Sequence, residues 1–148
     1  MTTYERLVSE LADGLGADIS PDESGITEVF AEGRVVTLRG DETGERELSA
    51  FTSVATAPDK GFDAATLSRA LKMNLFGREV AGHHLGLFGD MLILSASIPL
   101  AGLTAEDLAD RLVVLARLAG ELSSSLGPDA PNMPEAEVAP SDGSYIAV

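Results

Sequence analysis

The sequence has no cysteine and no tryptophan, and only 5% of it is aromatic. The first absence excludes disulfides and thiolate metal sites and fits a reducing compartment. The others make any core mainly aliphatic. Basic residues are also scarce: 10 Lys and Arg against 24 Asp and Glu give a formal net charge of -14 over 148 residues. Such a surface repels nucleic-acid phosphate and anionic lipid, so neither partner is expected. No apolar run reaches the ~18 residues of a membrane span. The opening Met1-Thr-Thr-Tyr-Glu-Arg6 lacks the basic start and apolar stretch of a signal peptide, so a cytoplasmic location is expected.

Motifs of catalysis are missing as well. There is no Gly-x-Ser-x-Gly elbow, no Walker loop and no Gly-x-Gly-x-x-Gly fingerprint. The acidic pairs Asp22-Glu23 and Asp41-Glu42 lack calcium-loop spacing and read as solvated turns. His83 and His84 are the only histidines. Neighbours on a strand point to opposite faces, so the two do not easily share a metal. No catalytic residue, metal site or cofactor is expected, and the chain reads as a non-enzymatic binding protein.

What is present is a regular alternation of helical and strand patterns. Tyr4, Leu7, Val8, Leu11 and Leu15 fall on one face of a helix that stops at Gly14 and Gly16. Three strand candidates follow: Ile26–Glu32, Val35–Leu38 and Leu48–Ala57. Their connections, around Gly33-Arg34 and Gly40–Gly44, predict an antiparallel meander. Asp63 can cap a second helix, with Phe62 and Leu67 as its hydrophobic staple and Leu67, Ala70, Leu71 and Leu75 as its stripe. That helix should end at Gly77. His83–Phe88 and Met91–Leu100 flank Gly89-Asp90, a two-residue hairpin signal. In the second of these strands Leu92, Leu94, Ala96, Ile98 and Leu100 share one face.

Thr104 starts the last helix, with Asp107 at capping-box spacing. Leu108, Leu112, Leu115, Ala119, Leu122 and Leu126 form its stripe, and Gly127-Pro128 ends it. Residues 128–148 hold four of the seven prolines, four acids and no base, and read as a tail without a core. The predicted order is α-βββ-α-ββ-α. This is an α+β fold with a twisted five-stranded antiparallel sheet and three helices, in one domain over 1–127 with a Pro-rich acidic tail over 128–148.

Residues 71–100 carry a more specific pattern. Leu71-Lys-Met-Asn-Leu-Phe-Gly77 is followed by Gly82-His-His-Leu-Gly-Leu-Phe-Gly-Asp-Met-Leu-Ile-Leu94 and by Ile98-Pro-Leu100. This ordered set resembles the class I chaperones of bacterial type III secretion systems, the Tir-chaperone or CesT-like family. Asn74, Leu75, Phe76, Leu85, Gly86, Leu87, Leu92, Leu94, Pro99 and Leu100 fit the family's positions, and the resemblance spans about residues 1–126.

The resemblance implies a cytoplasmic homodimer that binds a secreted effector in extended form and keeps it stable and competent for secretion, without hydrolysing a nucleotide. It implies dimer contacts at Leu67, Leu71, Leu75, Leu85 and Leu87. It implies effector-binding grooves at Leu7, Leu11, Val29, Val36, Leu38 and Phe51. The tail from Pro128 is longer and richer in proline than the family pattern requires. Two other readings compete: a regulator of the same fold that sequesters a transcription regulator or anti-activator, and a small-ligand sensor or enzyme. An enclosed polar pocket holding His83 or His84 would favour the last.

Overall fold

The computed structural model describes residues 1–76 and 83–126. The expected helix stop at Gly77, Gly82 of the family pattern, and the Gly127-Pro128 stop with its tail lie outside them.

Helix α1 spans Thr3–Leu15, and its N-terminus is closed by a full capping box. The Thr2 hydroxyl accepts the Glu5 N–H, and the Glu5 carboxylate accepts the Thr2 N–H. Two orphan donors are satisfied at once. The opposite end stops at Gly16 in the left-handed region.

Strands β1 (Ile26–Ala31), β2 (Arg34–Gly40) and β3 (Glu47–Thr56) follow, then helix α2 (Ala64–Phe76), strands β4 (His84–Phe88) and β5 (Met91–Pro99), and helix α3 (Ala105–Leu126). All pairings are antiparallel, in the order β1-β2-β3-β5-β4. The predicted α+β order is therefore observed. The β1–β2 turn falls one residue earlier than expected, at Glu32-Gly33. Both residues have positive φ, 50° and 77°. That is the backbone a two-residue hairpin needs.

The helix caps follow the sequence signals. The Asp63 carboxylate accepts the Thr66 N–H at 2.8 Å, and the Thr104 hydroxyl accepts the Asp107 N–H at 3.0 Å. Leu108, Leu112, Leu115, Ala119, Leu122 and Leu126 of α3 are all buried. They face the sheet interior (Leu38, Leu48, Leu94, Ile98) and α1. The helices thus lie over one sheet face, and the other face is left without a helix.

The N-terminus of α1 is pinned to the sheet by polar contacts. Tyr4 reaches inward, and its hydroxyl meets the Gly25 carbonyl at 3.0 Å, the Thr27 hydroxyl at 2.7 Å and the Leu38 carbonyl at 3.1 Å. Burial pushes its pKa up. The ring lies so close to Gly40 that a Cβ there would stand 2.9 Å from Tyr4 Cγ. In the β2–β3 turn the Gly44 carbonyl accepts the Tyr4 N–H at 2.9 Å, and Glu45 receives the Thr3 hydroxyl.

Asp41 organises that turn. Desolvation pushes its carboxyl up, but hydrogen bonds from Thr43, from the backbone of Arg46 and Glu47 and from the Arg46 guanidinium outweigh this and hold it at about 2. A depressed folded-state pKa favours the ionised form. The contribution of Asp41 is therefore complete above its unfolded value of 3.8 and is lost as pH falls through about 2. The melting temperature of wild type should exceed that of Asp41→Asn above pH 5, and the gap should narrow steadily toward pH 2. A gap that does not change with pH would contradict this.

Candidate functional site: two sheet edges and their apolar borders

A sheet with two open sides raises a specific question: which backbone groups of its edge strands have no partner? In β1 the Ile26 N–H donates to Asp22 Oδ1 at 3.0 Å, and the Ile26 carbonyl accepts the Asp22 N–H at 2.8 Å. Ile26 therefore faces away from β2. Alternate residues of a strand share a hydrogen-bonding side, so Glu28 and Phe30 face the same way. No described residue meets their N–H or carbonyl groups.

A groove of about 550 Å³ runs beside these groups, lined by Leu15, Ala17, Ile19, Val29, Phe30 and Val35 together with Glu28. Phe30 is 71% exposed, and Leu15 and Val35 are also exposed. Phe30 stands opposite Val35 across the β1–β2 ladder, on the face without helices. The groove thus joins unpaired main-chain groups to an apolar border.

The other edge is β4. The Leu85 N–H donates to Asn74 Oδ1 at 2.7 Å, and Asn74 Nδ2 donates to the Leu85 carbonyl at 2.7 Å. Leu85, and by alternation Leu87, therefore face away from β5. Beside this edge lies an apolar surface. Leu71 and Leu75 stand one turn apart on α2, with Leu75 73% exposed, and Leu87 is exposed on β4; Phe88, also exposed, points to the opposite, helix-free face. Leu67 is half-buried and shares a cleft of about 450 Å³ with Phe62 and Leu87.

The structure divides the residues that the resemblance singled out. Leu71, Leu75 and Leu87 sit on the exposed α2–β4 surface, with Leu67 at its margin. Leu85 does not, because its side chain is buried within the chain's own core. For the groove the correction is larger. Leu7, Leu11, Val29, Val36 and Leu38 are core residues, each between 0% and 4% exposed. They face the packed side of the sheet, so of these only Val29 reaches the groove's floor. Phe51 is half-buried on the helix-free face, opposite Thr37 and Ser95.

Phe30, Val35, Leu15 and Ile19, which line the groove beside β1, were not among the residues expected there. A signal existed for two of them. Phe30 and Val35 have the opposite parity to Val29 and Val36, so both strands carry apolar residues on both faces.

The histidines lie apart. His84 is exposed and sits opposite Ser95. His83 lines a cleft of about 300 Å³ with Ala96, Ser97, Ile98, Asp110, Arg111, Val114 and Leu115. The Ser97 hydroxyl donates to Glu47 Oε2 at 2.9 Å. Among the described residues no group of three His, Cys, Asp or Glu side chains could hold a metal ion, and no helix is long and apolar enough to cross a membrane.

Comparison with known proteins adds to this geometry. The sequence matches the model of the Tir chaperone protein (CesT) family over residues 6–123. No curated protein matches it significantly. The fold is similar to the Yersinia pestis type III secretion chaperone SycH in complex with a stable fragment of YscM2, at 25% identity and a TM-score of 0.61, covering 80% of this chain and 98% of that one. It is similar to the ExsC–ExsE complex at 21% identity and a TM-score of 0.69, covering 85% and 97%. It is also similar to the ExoT–SpcS complex from Pseudomonas aeruginosa at 21% identity and a TM-score of 0.58, covering 80% and 96%. With a family match over most of its length and the fold in agreement, this chain belongs to the Tir chaperone protein (CesT) family.

Proposed function

We propose that this protein is a cytoplasmic, non-enzymatic chaperone that holds an extended segment of a type III secretion effector and keeps that effector competent for export. One observation carries the reading: the outward-facing backbone of Glu28 and Phe30 lies beside an apolar groove. An added strand gains main-chain hydrogen bonds there, and its alternate side chains enter the groove. Each client side chain fully buried in it contributes roughly 1.5–3 kcal/mol. The net charge of -14 favours client segments flanked by Lys or Arg. Similar folds solved as chaperone–effector complexes, such as HopA1–SchA, support the client class.

The working unit is a homodimer. Leu71, Leu75 and Leu87 line one exposed apolar surface, and a two-fold axis through it would bury both copies together. The client groove at β1 lies at the other end of the strand order from β4 and remains open in such a dimer.

Capture from the native host, followed by mass spectrometry, tests the client class. The expected result is a secreted protein held through one short segment. Recovery of a regulatory protein in its place would support the sequestration reading instead.

A further inference from the structure

The β4 edge should be a hazard. It is an exposed strand bordered by Leu71, Leu75 and Leu87, on the surface assigned to self-association. Two such edges brought together by their apolar borders would be expected to pair backbone to backbone, joining two sheets into one. One side chain stands in the way. Asn74 offers both halves of a peptide group, a carbonyl to the Leu85 N–H and an amide N–H to the Leu85 carbonyl, each at 2.7 Å. It fills the place that a neighbouring strand would take. Of the outward-facing residues within His84–Phe88, only Leu87 is left without a described backbone partner.

We infer that Asn74 fixes the mode of self-association: by closing the β4 edge it prevents strand-to-strand pairing and leaves the side chains of α2 and β4 as the dimer contact. The residue type follows from the task. Asparagine carries a donor and an acceptor on one short planar group, whereas aspartate lacks the donor and alanine has neither. Its place in the last turn of α2 also ties that helix to β4. This sets where Leu71 and Leu75 stand relative to Leu87. Asn74 is a positioning residue in this account, and the inference rests on the proposed side-chain dimer.

The test combines sedimentation with amide exchange on the full chain. Leu71→Asp alone should be monomeric, with its Leu85 amide still protected by Asn74. Adding Asn74→Ala should speed exchange at Leu85 at least ~10-fold in dilute monomer. It should also restore association, now through β4, with the Leu85 and Leu87 amides protected in proportion to protein concentration. Asn74→Ser, a milder change, is measured beside it and should behave alike.

A double variant that stays monomeric while Leu85 exchanges fast would overturn the role given to Asn74. Loss of thermal stability without any change in association would overturn it equally, since that is what a merely structural bridge produces. If Leu71→Asp alone remains dimeric, the side-chain dimer itself is refuted, and the inference with it.

Discussion

Aspartate in place of Leu71 should convert the proposed dimer to monomers at micromolar concentration. The leucine is exposed within the chain, so its replacement leaves the protomer's own core intact. In a two-fold interface every substitution acts twice. Losing two buried leucine contacts costs about 3–6 kcal/mol. That raises the dissociation constant by roughly 10²- to 10⁴-fold. Each carboxylate must in addition lose water without gaining a partner, which adds to the cost. Sedimentation of the variant beside wild type checks this, with circular dichroism to confirm the fold. Leu85→Asp should behave differently: its side chain is core, so the variant should lose stability before it loses its partner.

The second large effect belongs to Phe30. Phe30→Glu should weaken client binding about 10- to 100-fold, which matches the roughly 1.5–3 kcal/mol of a large apolar side chain removed from its contact. The new charge could attract a basic client, but an exposed pair at 4 Å gains only about 1 kcal/mol in water. The apolar loss therefore wins. The dimer should be unaffected, because β1 and β4 are opposite ends of the strand order. Titration calorimetry with the captured client reads the first effect and sedimentation the second. Leu11→Glu is the instructive contrast. It puts a charge into the core, where Leu11 is 2% exposed, and should destabilise the fold itself.

That contrast shows where sequence reasoning succeeded and where it stopped. Helix α1 and the β4–β5 hairpin were legible because their signals are local: an apolar stripe at helical spacing, and Gly89-Asp90 between alternating strands. The caps at Asp63 and Thr104 were legible for the same reason. The position of β5 between β3 and β4 was not. It depends on pairing across α2, and no local pattern encodes that. That most of the expected groove residues are buried was not legible for a related cause. An apolar stripe such as Leu7–Leu11 shows that a face avoids water, but not whether the chain itself or a partner covers it. Here α3 and the sheet cover it. Phe30 and Val35 were passed over because they lie on the face where such strands usually carry polar residues.

The most direct test is nuclear Overhauser contact between the client's backbone and β1 in the isolated complex. Close cross-strand contacts from the client to Glu28 and Phe30, with slowed exchange of those two amides, are what strand addition at this edge produces. A bound client that leaves both amides exchanging as in the free protein, and touches only other surfaces, would contradict it.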